Sequence, residues 1–158
     1  KKKVDIYMDM LDKPEIDRAI FDVLCLFTDL DTNSMPGQLT MQQFKEQVIE
    51  PLQHGKAHLR YSANGVLLWF FSWLALNDDD LEYLEETNYQ FPLENKEELL
   101  NRKTGDHALI LMSASRPKMF MKDKDICKDI LKDVTTKNSV FAYRYVQGKV
   151  KLKKLRIL

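Results

Sequence analysis

The sequence predicts an α/β (α+β) fold, a three-layer sandwich in which helices flank a mixed central β-sheet. Two helical stretches come first, apolar runs of strand length follow, and further helical patterns separate those runs. The predicted order of elements is α-α-β-β-α-α-β-α-β-β. A chain of 158 residues with this order and no internal repeat predicts one domain over residues 1–158.

Capping signals and apolar periodicity predict the two N-terminal helices. In the first, Pro14 and Glu15 open a stretch whose apolar residues recur at the 3.6-residue spacing of one helix face. In the second, Thr40 and Gln43 form a capping box. Pro51 lacks a backbone N–H group, so it is expected to kink this helix or end it early.

The strands follow from runs of apolar residues. Val66–Leu76 is interrupted only by Ser72 and is apolar on both faces, which predicts a central strand buried on both sides. Before it, Asn64 and Gly65 predict a type I′ hairpin turn to the strand at residues 58–62. Residues 107–112 form a second apolar run and predict a second buried strand.

A short acidic helix is expected between these two strands. Asn77 is predicted to cap it, and Leu81 and Leu84 are predicted to anchor it in the core.

Composition limits the class of protein. The chain is 44% hydrophobic, and its 24 basic and 24 acidic residues cancel to a formal net charge of zero. Two cysteines cannot form a disulfide framework, so a reducing compartment is expected. No apolar run reaches the roughly 18 residues of a membrane span, and no signal-peptide pattern follows the basic start. We therefore expect a soluble, cytoplasmic protein.

Charge is unevenly distributed along the chain although the totals cancel. Residues 78–98 carry nine acidic residues against one lysine, and residues 116–158 carry thirteen basic residues against four aspartates. The closing hairpin, predicted from Val140–Val146 and Lys149–Ile157, places lysines along its last strand. A solvated sheet edge, a docking face for an acidic protein and a nucleic-acid surface all fit this pattern. Because no nucleic-acid motif accompanies the strand, no nucleic acid is expected.

No active-site motif is evident in the sequence. His54 and His58 are four residues apart, but no further ligand completes a metal set, so no metal site is expected. Cys25 and Cys127 are predicted to be core or surface thiols, because no histidine is tied to either in sequence. The glycine-rich loops that bind nucleotides are absent, so no cofactor is expected.

Several segments nevertheless resemble the RTX toxin-activating lysine acyltransferases, the hemolysin-C-like family. The most specific is the Ser-Trp pair on the central strand, and the order of the elements is similar as well. The matching segments are Phe44 with Val48–Leu52, Phe71–Trp73, Leu76–Leu84, Thr104–Asp106 and Tyr143–Lys151.

The resemblance implies a GNAT-like fold and a fatty acyl transfer from acyl carrier protein to a lysine of a target protein. Acyl carrier protein is strongly acidic, which suits the basic C-terminal strand. The resemblance and the charge pattern together predict that six residues bind substrate or partner: Ser72, Trp73, Lys149, Lys151, Lys153 and Arg156.

The chain departs from the family at both catalytic positions. An ungapped alignment places Pro36 where the family has a histidine and Met112 where it has an aspartate, and neither can take a proton. The nearest titratable residues are Asp31, Asp106 and His107. Three hypotheses remain: an active divergent acyltransferase, a catalytically silent relative that docks an acidic protein, and an unrelated regulatory protein. A homodimer is also compatible with the sequence.

Overall fold

The computed structural model describes residues 13–30, 39–88, 96–116, 120–146 and 149–158. Its elements follow the predicted order, with the second helix divided into α2, a π-helical turn and α3. In chain order they are α1 (Lys13–Asp29), α2 (Met41–Phe44), the π-helical turn (Lys45–Ile49), α3 (Glu50–Gln53), β1 (Ala57–Tyr61), β2 (Leu67–Leu76), α4 (Asp78–Glu86), α5 (Lys96–Asn101), β3 (Gly105–Ser115), α6 (Phe120–Leu131), β4 (Thr135–Val146) and β5 (Lys149–Leu155).

The five strands form one mixed sheet in the order β1-β2-β3-β4-β5. β1 pairs antiparallel with β2, β3 pairs parallel with β4, and β4 pairs antiparallel with β5. Parallel neighbours require a crossover connection, and α6 lies in the connection from β3 to β4. The mixed α+β class is therefore confirmed. So is the inner position of β2, in which every residue except Leu68 is buried. Val66, the first residue of the predicted run, lies before the strand and is 44% exposed.

The chain divides into two compact units, which are described separately. The first unit comprises Lys1–Ser72 and Met112–Asp123, and the second comprises Trp73–Leu111 and Lys124–Leu158. The single domain predicted over residues 1–158 stays a prediction.

The core of the first unit forms where helices α1 to α3 pack on the paired strands β1 and β2. Val23 of α1 is fully buried, as the helical spacing of apolar residues predicts. Leu26 is also fully buried, whereas Leu24 is 44% exposed, so the buried face of the helix differs from the predicted one at these two residues. The rings of Phe27 and Phe44 meet edge to face, with their centroids 5.9 Å apart. Phe70 of β2 is fully buried in the same cluster.

The hairpin between β1 and β2 does not have the predicted type I′ turn. That turn requires a positive φ at both central residues, but only Gly65 has one, at 85°. The Gly65 N–H donates to Ser62 O, and the Ser62 N–H donates to Val66 O. The connection is therefore a three-residue loop that ends with glycine in the left-handed conformation, because Asn64 keeps an ordinary φ.

Pro51 explains both the π-helical turn and a hydrogen bond of Ser72. A proline has no N–H group, so the carbonyl four residues before it, Gln47 O, loses its usual helical donor. In the structure the Ser72 Oγ donates to Gln47 O at 2.6 Å, and both residues are buried. The predicted disturbance by Pro51 thus appears as a π turn at Lys45–Ile49, with the Glu50 N–H donating to Lys45 O.

The core of the second unit is rich in leucine. Leu84 of α4 is buried and Leu81 packs partly buried against the same cluster, as predicted for the anchors of this helix. Gly105 begins β3 against the end of β2, where an added Cβ would lie 2.6 Å from Leu76 O. Only glycine fits there without moving the backbone. The other buried members of this core are Leu74, Leu76, Leu99, Leu100, Leu109, Leu111 and Tyr143.

Candidate functional site

His107 lies near the start of β3 and contacts two other elements of the second unit. Its Nδ1 lies 2.7 Å from Ser139 Oγ on β4, and its Nε2 lies 2.6 Å from Asp78 Oδ1 in the first turn of α4. Ser139 is buried, whereas the Asp78 side chain is 65% exposed. The Nδ1 side of the imidazole therefore contacts a buried residue, and the Nε2 side contacts an exposed one.

An irregularity in β4 brings a lysine to the same place. Gly105 pairs with Thr135 and His107 pairs with Ser139, so one residue of β3 lies opposite three residues of β4. Bulges of this kind redirect side chains and are frequent beside active sites. Lys137 is the central residue of the three.

Hydrogen bonds of Thr135 and the conformation of Asn138 fix this bulge. The Thr135 Oγ1 donates to Asp106 O and accepts from the Lys137 N–H. Asn138 has a φ of 53°, a left-handed conformation that asparagine tolerates better than most residues. As a result the Lys137 Nζ lies 3.6 Å from a carboxylate oxygen of Asp78 and 3.6 Å from one of Asp106.

The two carboxylates are held together by the start of α4. Asn77 caps this helix with Asp80, as the sequence predicts for the capping residue. The Asp78 N–H donates to Asp106 Oδ2, and the Asp106 N–H donates to Asn77 Oδ1. These bonds hold the backbone at the start of α4 against the start of β3, and the Asp78 carboxylate takes part in neither of them.

The charges of the cluster reinforce one another. The hydrogen bond with His107 is the main reason that the pKa of the Asp78 carboxyl lies below its usual 3.8, and the Lys137 ammonium lowers this pKa further. Asp78 is therefore ionised at neutral pH. It offers a negative charge to any cation that approaches the imidazole.

This arrangement suits two kinds of chemistry. A histidine beside a carboxylate is a typical general base, since the carboxylate orients the ring and stabilises the imidazolium that forms. Asp78, Asp106 and His107 also each offer one ligand atom within 4.8 Å of the others, a donor set that fits a metal ion. In the structure, however, the Lys137 ammonium already supplies a cation to both carboxylates.

Of the two positions aligned with the family's catalytic pair, the structure describes only Met112. Met112 is buried in the core of the first unit, and Pro36 and Asp31 lie outside the described residues. Of the titratable residues near those positions, Asp106 and His107 belong to the cluster around Lys137. The sequence signal for this cluster is the Asp106-His107 pair after Gly105, but its partners become visible only with the strand register.

Ser72 and Trp73, predicted to bind substrate, are both buried. Ser72 is fully buried and donates to Gln47 O, and Trp73 is 8% exposed. Their adjacent positions on a strand point the two side chains to opposite faces of the sheet. The hydrogen bond of Ser72 gives this residue a structural task, and a role of either residue in binding stays a prediction.

The basic strand β5 carries lysines on both of its faces. Lys151 and Lys153 are exposed and pair with Arg144 and Ala142 of β4, on one face. Lys154 has the opposite parity and is also exposed. Of the other predicted residues, Arg156 is exposed beyond the end of β5, and the side chain of Lys149 lies outside the described part.

Lys154 and His107 adjoin the same aromatic ring. The Lys154 Nζ lies 5.9 Å from the centroid of the Phe141 ring, within reach of a cation–π interaction. The His107 and Phe141 rings meet edge to face, with centroids 5.5 Å apart. One face of the second unit therefore runs from the candidate base to the basic strand. Lys154 was not among the predicted binding residues, because the sequence pattern alone did not separate the two faces of β5.

The remaining histidines and cysteines have structural settings. His58 is buried beside the Trp69 ring, and the His54 Nδ1 lies 2.8 Å from Glu50 O near the end of α3. Burial raises the pKa of the Cys127 thiol to about 12, so this residue is a poor nucleophile at neutral pH. Cys25 is exposed on α1. Neither cysteine is close to a catalytic partner in the sequence.

Comparisons with known proteins leave the family open. No protein-family model matches the chain, and a search of curated proteins finds no match either. Among the helices of the described ranges, none combines the length and the apolar character that crossing a membrane requires.

Proposed function

We propose that this chain is a divergent relative of the toxin-activating acyltransferases with a GNAT-like sandwich fold. In this proposal it transfers a fatty acyl group from acyl carrier protein to a lysine of a target protein, in the cytoplasm. The observation that carries the proposal is the continuous face from His107 through Phe141 to Lys154. This face extends from the candidate base His107 to the basic strand β5, whose positive charge is complementary to an acidic acyl donor.

In this proposal His107 is the general base, because neither Pro36 nor Met112, at the aligned catalytic positions, can accept a proton. In the described geometry the ionised Asp78 accepts a hydrogen bond from the His107 Nε2–H, so Nε2 becomes a base only when Asp78 turns away and the imidazole takes the tautomer that donates Nδ1–H to Ser139 Oγ. The Nε2 lone pair then accepts a proton from the substrate ammonium. The free amine then attacks the thioester carbonyl, a C–N bond forms and the C–S bond breaks. The carrier leaves as a thiolate and takes the proton from the imidazolium. The nitrogen loses its second proton to solvent as the amide forms, so the ammonium gives up two protons, one to the carrier thiol and one to solvent, and no oxidant is needed.

The decisive experiment measures acyl loss from the carrier and mass gain on a lysine peptide by intact-mass spectrometry. His107→Asn is expected to slow transfer about 10²- to 10⁴-fold, the usual effect of removing a general base. His54→Asn is the matched control, because the His54 ring adjoins Glu50 O at the end of α3 and is not part of the cluster around His107. Full activity of His107→Asn assigns the base elsewhere. No transfer by the wild type rejects the reaction.

A second function is favoured by the position of Met112. This residue stands at the family's aspartate position and is 1% exposed, so the family's proton chemistry has no place there. The chain is then a catalytically silent module that docks an acidic protein on β5. Salt-sensitive binding of the carrier without acyl loss supports this alternative over the enzyme.

Charge reversal on β5 locates the docking face under either function. Lys151→Glu with Lys153→Glu changes one face of the strand, and Lys154→Glu changes the face that adjoins Phe141. The enzyme hypothesis predicts that Lys154→Glu weakens carrier binding more than Lys151→Glu alone or Lys153→Glu alone. If all these variants bind as the wild type does, β5 is only a solvated edge.

A further inference from the structure

The carboxylates of Asp78 and Asp106 already hold a lysine, and this lysine belongs to the chain itself. The Lys137 Nζ lies 3.6 Å from each of them, and the β4 bulge is what carries it there. The Lys137 side chain is 56% exposed, so the place that its ammonium occupies is open to solvent. An acceptor lysine of the proposed reaction needs the same surroundings. Carboxylates bind its ammonium group, and an imidazole beside them takes the proton.

We propose that Asp78 and Asp106 form the acceptor-lysine site, and that Lys137 occupies this site until a substrate lysine displaces it. The inference rests on the proposed acyl transfer, since it names the residues that bind the acceptor. Asp78 touches both His107 and Lys137, so a substrate ammonium in the place of Lys137 lies beside the candidate base. Lys137 thus acts as an internal competitor.

Displacement is feasible because the groups that must move are exposed. The Asp78 side chain is 65% exposed and can turn from His107 toward the incoming ammonium. After that turn, Nε2 accepts the substrate proton in the tautomer that donates Nδ1–H to Ser139 Oγ. The hydrogen bonds from the Asp78 N–H to Asp106 Oδ2 and from the Asp106 N–H to Asn77 Oδ1 do not involve the Asp78 carboxylate, so its turn does not require them to break.

The test uses n-butylammonium as a probe of the site and follows the His107 imidazole signals by NMR. Lys137→Gln removes the competitor, and we expect the probe to bind this variant about two- to fivefold more tightly than the wild type, as for an exposed ion pair. Lys132→Gln is the matched control. Its ammonium lies 3.6 Å from Asp129 Oδ1 and is similarly exposed, but it is not part of the cluster.

Asp106→Asn in the Lys137→Gln background is expected to abolish the gain. In the acylation assay, Lys137→Gln should lower KM for the lysine peptide with little change in kcat, because it removes competition and leaves the base intact. Equal binding of the probe to the wild type and Lys137→Gln overturns the inference, whatever the transfer assay shows. Tighter probe binding without transfer by any variant keeps the ammonium site and rejects the proposed reaction.

Discussion

Particular polar side chains of the two units have different settings. In the first unit, the fully buried Ser72 donates to the buried Gln47 O, whereas the buried Trp69 Nε1–H donates to Ser113 Oγ of an exposed residue. The Tyr61 hydroxyl donates to Asp22, and burial is the main cause that raises the pKa of this tyrosine. In the second unit, the polar groups around His107 end at exposed carboxylate and ammonium groups.

The difference shows which buried polar residues are candidates for chemistry. A polar group whose partners are all in the core satisfies a hydrogen bond that the fold would otherwise leave unmade. A group that is buried on one side and linked to exposed charges on the other is available to a ligand. Strand β3 contains both extremes, since His107 lies in the exposed cluster and Met112 lies in a core.

The largest expected effect is the loss of stability caused by a cavity in the core of the first unit. Phe70→Ala removes a fully buried ring and is expected to lower the free energy of unfolding by about 3–5 kcal/mol. Urea denaturation measures the loss. The control Phe21→Ala, at a ring that is 60% exposed, should change stability by no more than about 0.5 kcal/mol. Equal losses for the two variants contradict the assigned core.

The two units can also be compared by the reactivity of their cysteines, Cys25 in the first unit and Cys127 in the second. With a pKa of about 12, the Cys127 thiol is ionised to only about one part in 10⁴ at pH 8. Cys25 is exposed, so iodoacetamide should label it first, and mass mapping at timed intervals reports the order. Urea should remove the difference, because it exposes both thiols. Rapid labelling of Cys127 in the folded protein is the opposing result.

Ser72→Ala distinguishes a structural hydrogen bond from a binding role. The change leaves the buried Gln47 carbonyl without its side-chain donor, and we expect stability to fall by about 1–3 kcal/mol. Ser62→Ala, at a half-buried loop position, is the comparison for a serine hydroxyl outside the core. Loss of carrier or peptide binding at unchanged stability would instead support the predicted substrate role of Ser72.

The smallest effect concerns the acid stability of the second unit. The pKa of Asp78 is lower in the folded protein, so its contribution is present above the ordinary carboxyl pKa near 3.8 and is lost as pH falls through the folded value. Asp78→Asn should therefore flatten stability against pH in the acid range below about pH 4. Thermal unfolding between pH 2 and pH 7 measures this. Asp79→Asn is the control, because no contact of the cluster includes Asp79.

Sequence patterns predicted the elements well because local rules decide them. The apolar run of β2, the capping boxes at Thr40 and Asn77 and the anchor Leu84 all depend on residues close in sequence. The prediction of a type I′ turn was wrong because Asn64 keeps a negative φ, and the length of the loop decided the turn type. Turn dipeptides indicate where a chain reverses more reliably than how it does so.

The candidate site lay beyond such local rules. Its three elements meet only through the pairing of His107 with Ser139, and Lys137 reaches the carboxylates because of a three-residue bulge. Neither a strand register nor a bulge is encoded by spacing within one segment. A sequence signal existed in Asp106-His107 directly after a tightly packed glycine, but it did not identify the partners.

The π-helical turn also bears on how this chain aligns with relatives. Such a turn holds one residue more than the α-helical turn that it replaces, so it marks a natural point of insertion between Phe44 and Pro51. A relative with an uninterrupted helix would be one residue shorter there. The position opposite the family's histidine would then move from Pro36 to Met35, which takes no proton either. With or without a one-residue insertion at this turn, the aligned position therefore holds no histidine.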